Sequence, residues 1–98
     1  MALKFGFLAL LEAKPGKEQE LWDFLESGRS LAVDEPDTKT WYAFRVNENT
    51  FGIFDTFETE EGRQAHLNGA IVAALGEHGP NLLARDPDIN PVDLIAAK

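Results

Sequence analysis

The apolar residues of this chain change period along its length, and the order of those changes admits few folds. From Leu3 to Glu12 they alternate: Leu3, Phe5, Phe7, Ala9 and Leu11 share one face, and Lys4, Gly6, Leu8, Leu10 and Glu12 the other. This is a strand. Ala13-Lys14-Pro15-Gly16 is a turn signal, and Pro15 suits the opening of a helix. Leu21, Phe24, Leu25, Gly28, Leu31 and Ala32 then follow helical spacing, with Glu18, Glu20, Asp23, Glu26 and Arg29 off the stripe. The stripe ends before Asp34-Glu35-Pro36-Asp37, where Pro36 disfavours helix at Glu35. Gly28 weakens the helix and implies a close approach to the sheet. Stretches 38–47 and 50–58 are rich in β-formers and flank Glu48-Asn49, a tight hairpin whose loop of two or three residues leaves the register open. Thr59 is the candidate N-cap of a second helix that opens on Glu60 and Glu61. That helix carries Ala65, His66 and Leu67 at its front and bends or breaks at Gly69. It resumes over 70–75, is interrupted at 76–80, and 81–85 adds a short turn. Residues 89–97 form the last strand, where Pro91 suits an edge. The order β-α-β-β-α-β predicts one ferredoxin-like α+β domain over residues 1–98, a four-stranded antiparallel sheet with its helices on one face.

Such a sheet leaves its second face bare, and here that face is not polar. The first strand is apolar on both sides. Trp41 opposes Tyr42 and Phe44 across the second strand, and Phe51 and Phe57 oppose Phe54 across the third. A contiguous apolar face of that size marks an interface. Closing two copies around a twofold axis buries it, so the expectation is a homodimer through the sheet face. With 98 residues, 44% of them hydrophobic and seven of them Phe, the chain has apolar material for both a core and an interface.

Seventeen acidic against nine basic residues give a formal charge of −8, which repels nucleic-acid phosphates and anionic membrane surfaces alike. The absence of cysteine excludes disulfides, thiolate metal sites and a cysteine nucleophile, and fits a cytoplasmic protein. The N-terminus lacks the basic region and cleavage site of a signal peptide, and no apolar run is long enough to span a bilayer. There is no phosphate loop and no dinucleotide fingerprint, and two isolated histidines make a poor metal site.

Several side chains can carry chemistry. His66 is ionisable near neutrality and suits a general acid or base. Asp55 is a charge inside an otherwise apolar strand and demands a partner; Arg45 on the neighbouring strand is the candidate, if the register allows it. In the functional reading Asp55 orients His66, and Arg45 holds a substrate oxygen. Trp22, Trp41 and Tyr42 offer flat faces for an aromatic substrate, or pack in the core and interface.

Three stretches together resemble the antibiotic biosynthesis monooxygenase-type domain of the dimeric α+β barrel superfamily. They are strand 1 running into Ala13-Lys14-Pro15-Gly16-Lys17, then Phe54-Asp55-Thr56-Phe57-Glu58-Thr59, then Ala65-His66-Leu67. The resemblance spans nearly the whole chain. It departs from the family at Phe57, commonly Trp, and at Ile71, where many members carry a second His. Ala9, His66 and Gly76 stand where haem-degrading members use Asn, Trp and His, which argues against haem chemistry. The resemblance implies a cofactor-independent monooxygenase acting on a small quinol-like or polyketide-type aromatic between helices and sheet. His66 and Asp55 would be catalytic, with Arg45, Trp22, Trp41 and Tyr42 lining the pocket; a borrowed flavin stays open. The alternatives are an isomerase or lyase on the same fold, and a non-catalytic binding or structural dimer.

Overall fold

The computed structural model describes residues 3–98, and the element order is that expected, with the second helix divided in two. β1 (Phe5–Glu12) is followed by α1 (Glu18–Val33), the hairpin β2 (Thr40–Arg45) and β3 (Thr50–Phe57), α2 (Glu60–Leu67), α3 (Ala70–Leu82) and β4 (Asp88–Asp93). The sheet has the order β2-β3-β1-β4 and is antiparallel throughout. β1 and β3 lie at its centre, and the shorter β2 and β4 are its edges. Pro91 sits in the edge strand β4, opposite Phe7, where its missing N–H costs no ladder bond on the open side.

One face of the sheet packs against the helices. Ala9 and Leu11 of β1 and Phe51 and Ile53 of β3 form a single core with Leu21 and Leu25 of α1 and Leu75 and Leu82 of α3. Gly28 has the close approach expected of it: a Cβ there would lie 3.3 Å from the Trp41 ring.

α2 starts as expected. Thr59 is extended and its hydroxyl accepts from the Gly62 N–H at 3.0 Å. Asn68 and Gly69 end it, and α3 begins at Ala70 with no side-chain cap. The interruption expected at 76–80 does not occur: α3 runs through it. Its buried residues Ile71, Leu75, Gly79 and Leu82 keep a helical stripe on the core. The carbonyl that Pro80 leaves without an N–H belongs to Gly76, an exposed residue where water can replace the lost bond. The chain then turns extended at Leu83, which bridges to Ala13. β4 ends at Asp93, shorter than the strand expected over 89–97.

The hairpin register is settled. Trp41 pairs with Asp55, Ala43 with Ile53 and Arg45 with Phe51, which makes the loop three residues, Asn47-Glu48-Asn49. The Asn47 side chain closes it by accepting from the N–H groups of Asn49 and Thr50. This register places Trp41 and Asp55 on the helix-covered face. Tyr42 and Phe44 go to the other face, level with Phe54 and Gly52, and next to Leu8 and Leu10 of β1. No helix among the described residues covers that side, and Tyr42 is 56% exposed.

Candidate active site

Asp55 sits on the helix-covered face of β3, a central strand, between Trp41 on β2 and Phe7 on β1. It is among the most deeply buried side chains of the protein. A carboxylate there demands compensation, and His66 provides it: Nε2 lies 3.0 Å from Asp55 Oδ2. His66 is the penultimate residue of α2, not at its front, and is itself buried. Its other nitrogen, Nδ1, lies 2.7 Å from Oε1 of Glu35. Glu35 belongs to the loop between α1 and β2, and the same oxygen accepts the Thr38 hydroxyl at 2.7 Å. The Phe57 and Phe7 rings flank the imidazole at 5.3 and 6.1 Å between centroids. One histidine thus joins a loop, a helix and a strand through two carboxylates.

The electrostatics follow from that geometry. Burial alone lowers the pKa of His66. The hydrogen bonds to Asp55 and Glu35 and the charge of both carboxylates act the other way and prevail, so His66 titrates above its ordinary 6.5. The imidazolium donates both N–H groups; the neutral ring has one bare nitrogen, set by which carboxylate keeps its donor.

Both carboxylates retain an unspent oxygen. Asp55 Oδ1 and Glu35 Oε2 are buried and have no hydrogen-bond partner within the protein, and neither has the Trp41 indole N–H. Buried polar atoms are rarely left so, because each costs about 1–3 kcal/mol; a water or a ligand normally satisfies them. Glu35 Oε2 lies where a Cβ on residue 69 would fall, 2.5 Å from it, so Gly69 is required for the carboxylate to fit beside the start of α3.

Cavities adjoin these atoms. Asp55 and His66 line an interior space of about 30 Å³ with Phe7, Ile53, Ile71 and Leu75. Ile53, Ile71 and Leu75 also line a larger pocket of about 230 Å³ between α1 and α3, walled by Phe24, Trp41 and His78. On the outer side, Glu35 and His66 form the floor of an open pocket of about 320 Å³ between the α1–β2 loop and the starts of α2 and α3. A wider cleft of about 690 Å³ lies between the start of β1 and residues 93–98.

Of the residues singled out from sequence, His66 and Asp55 come together, and Trp41 is paired with Asp55 on the neighbouring strand. Arg45 does not join them. It faces Phe51 rather than Asp55, its guanidinium donates to the Asn47 and Glu48 carbonyls, and it lies over the Phe51 ring, so it braces the hairpin. Tyr42 is on the opposite face of the sheet. Trp22 is 45% exposed and lines a separate shallow pocket of about 160 Å³ with Phe44 and Phe51. Sequence reasoning missed Glu35, visible only as the residue before Pro36. It also missed Arg63, which ties α2 to the sheet through the carbonyls of Val92 and Gly6 and stacks over Phe5 and Phe7. No helix among the described residues is long and apolar enough to cross a membrane, and no group of metal-ligating side chains occurs among them.

No family model matches the chain, and no curated protein matches it. Solved structures do. A candidate antibiotic biosynthesis monooxygenase from Nitrosomonas europaea superimposes with a TM-score of 0.82 at 11% identity, over 94% of this chain and 90% of that one. Another, from Chloroflexus aurantiacus, gives 0.75 at 18% identity, over 97% and 96%. At such identities these likenesses establish a shared ferredoxin-like fold. A second Nitrosomonas europaea protein, of unknown function, is 49% identical with a TM-score of 0.96, over 98% of this chain and 93% of that one. The chain belongs to the same family as that Nitrosomonas europaea protein, and carries the fold of the antibiotic biosynthesis monooxygenase-like proteins.

Proposed function

We propose that the protein is a homodimeric, cofactor-independent monooxygenase of small hydroxylated aromatics, bound between the helices and the sheet. One observation carries this reading: the interior holds an unspent acceptor, Asp55 Oδ1, and an unspent donor, the Trp41 N–H, on residues directly opposite each other across β2 and β3. A quinol-like ring seated in the pocket of about 230 Å³ that Trp41 lines would satisfy both if its hydroxyl reached past Ile53, Ile71 and Leu75 into the small space beside Asp55, giving its proton there and accepting from Trp41 at an oxygen. Trp41 therefore takes the oxygen-holding role first given to Arg45.

The chemistry balances without a cofactor. Asp55 takes the proton of the bound hydroxyl, and Trp41 donates to the resulting oxyanion, which is electron-rich enough to reduce dioxygen. One oxygen atom bonds to a ring carbon; the other departs as water, taking up the proton held by the Asp55–His66 pair and one from the substrate. A hydroquinone and dioxygen yield a hydroxyquinone and water, with the substrate as the sole reductant. The neighbours named as antibiotic biosynthesis monooxygenases support the reading through their fold.

Oxygen uptake with a panel of dihydroquinones and hydroxyaromatics tests it. Uptake above autoxidation is expected, reduced at least about a hundred-fold in Asp55→Asn, in line with the loss of an acid–base group. No protein-dependent uptake across the panel overturns it. Anaerobic turnover of the same compounds would instead indicate an isomerase or lyase. A non-catalytic binding dimer is the second reading, favoured by the engagement of both His66 nitrogens with carboxylates; ligand binding without turnover would support it.

A further inference from the structure

We propose that the Glu35–His66 hydrogen bond is a proton-operated latch: when His66 loses its proton, Glu35 is the carboxylate that loses its donor, and the α1–β2 loop lifts from α2 and uncovers the ring. The latch belongs to the resting protein and does not depend on the proposed reaction. The loop is tied to its own neighbours at both ends. At the α1 end the N–H groups of Asp34 and Glu35 donate to the carbonyls of Leu31 and Ala32, and at the β2 end the Lys39 N–H donates to the Thr56 carbonyl. Between them the Thr38 N–H and hydroxyl both donate to Glu35, so residues 35–38 hold together as one turn. Among the described residues, that turn has a single hydrogen bond to α2 or α3, the one between Glu35 and His66 Nδ1. Asp37 meets Gly62 of α2 by packing alone.

The number of ring protons decides which bond is lost. The imidazolium has an N–H for each carboxylate; the neutral ring has one N–H for two. The Asp55 side chain is 2% exposed and that of Glu35 17%. Asp55 Oδ1 already has no partner within the protein, so Asp55 without His66 would be an ionised carboxylate in the interior with no donor. Glu35 keeps the Thr38 hydroxyl on Oε1 and borders the open outer pocket, where water can hydrate it. The single N–H therefore stays on Nε2, against Asp55. The bare Nδ1 then meets Oε1 at 2.7 Å, lone pair against lone pair, and the two must part.

The charges around the ring favour the same outcome. On the loop, Asp34, Glu35 and Asp37 border the outer pocket together, and His66 is the one group lining it, among the described residues, that can carry positive charge. Lys39, beyond the turn, is engaged with Glu58 at 3.7 Å and with the Pro36 carbonyl. On α2, Arg63 is turned toward the sheet and held by Glu60 at 2.6 Å and by the carbonyls of Gly6 and Val92. β3 contributes Asp55, the Phe7 and Phe57 rings are uncharged, and α3 begins beside uncharged Gly69 and Ala70. Loss of the His66 proton leaves three neighbouring carboxylates without their cation, and their repulsion moves the turn outward. Because His66 titrates above 6.5, the release falls above that pH. Below the midpoint the loop seals the ring. Above it, the outer pocket of about 320 Å³ opens onto Nδ1 and gives the buried Asp55–His66 pair contact with solvent.

The test is nuclear magnetic resonance of the whole protein, without substrate, from pH 5.5 to 9. It follows the His66 ring nitrogens, the proton–proton contact between the Glu35 side chain and Gly69, and amide exchange at Glu35, Asp37 and Thr38. In the unmodified protein the Glu35–Gly69 contact is expected at low pH and lost in step with the His66 titration. Exchange of the loop amides, corrected for its intrinsic dependence on pH, is expected to rise about ten-fold or more through the same midpoint. Glu35→Gln is the sharper variant. Its carboxamide can accept from Nδ1–H and can also donate to a bare Nδ1, so the contact with Gly69 is expected to persist at every pH. In Glu35→Ala the loop amides are expected to exchange fast throughout. A loop in the unmodified protein that stays docked across the range overturns the inference, whether or not His66 titrates there. A loop that opens while His66 keeps its proton overturns it too, as does a folded Glu35→Gln that opens at the same pH as the unmodified chain. None of these readouts involves turnover, so a protein that oxidises no quinol can keep its latch, and an active one can lack it.

Discussion

His66 is the residue on which the interior turns. Removing its side chain would leave the buried Asp55 and the half-buried Glu35 without a counter-charge, and breaking the buried Asp55 pair in this way costs about 3–5 kcal/mol. That is a large part of what holds a small domain together, so isosteric changes of the carboxylates are the informative ones for activity. The pH dependence has a definite sign. The folded-state pKa of His66 lies above the unfolded value of 6.5. Its contribution to stability is therefore complete below about pH 6.5 and is lost as pH rises through the raised value. The stability difference between the protein and His66→Gln, measured by denaturant unfolding from pH 5.5 to 9, is expected to shrink as pH rises through that window. A constant difference would mean that His66 does not take up its proton on folding. At this scale the sequence was half legible. Asp55 announced a missing partner because it interrupts an apolar strand, and His66 stood out as an ionisable group. That they meet could not be read, because Asp55 and His66 are joined by tertiary packing, and Glu35 reaches His66 from 31 residues away. Glu35 carried only the local signal of a residue before proline.

The elements were more legible than their partners. α1 was fixed by its apolar stripe and by Pro36, and α2 by Thr59; the caps and the periodicity are local and survive folding unchanged. Register is not local. A loop of two or three residues inverts which side chains of β2 face the helices, and only the closure by Asn47 settles it. With three, Trp41 faces inward beside Asp55, and Arg45 braces the hairpin instead of reaching a substrate. α3 shows the opposite error. Gly76 and Pro80 are helix breakers by intrinsic preference, yet the buried stripe from Ile71 to Leu82 outweighs them, as packing commonly outweighs propensity. The break falls at Asn68 and Gly69 instead, where α3 must start close to the Glu35 carboxylate.

At the scale of the whole molecule, the ferredoxin-like order was readable from the alternation of periods alone, and the uncovered sheet face followed from apolar residues on both sides of the strands. Leu8, Leu10, Tyr42, Phe44 and Phe54 lie together on that face. Stable interfaces bury on the order of 1,200–2,000 Å² in total, and we propose that a second copy covers this one. Phe54→Asp places a charge at its centre while leaving the opposite face of β3 intact. Light scattering is expected to give twice 10.9 kDa for the unmodified chain and 10.9 kDa for the variant. A monomeric unmodified chain would assign the face to another partner. On the other side of the sheet, Trp41 and Asp55 are the residues we propose to receive a hydroxylated ring. The two tryptophans differ in environment, Trp22 exposed and the Trp41 N–H buried, so their indole N–H signals are expected to be separable. Titration with a dihydroquinone under anaerobic conditions, followed by nuclear magnetic resonance, tests this binding without turnover. The Trp41 indole N–H and the His66 ring are expected to shift together while Trp22 stays in place. Shifts confined to the cleft at residues 93–98, with the Trp41 signal unmoved, would contradict it.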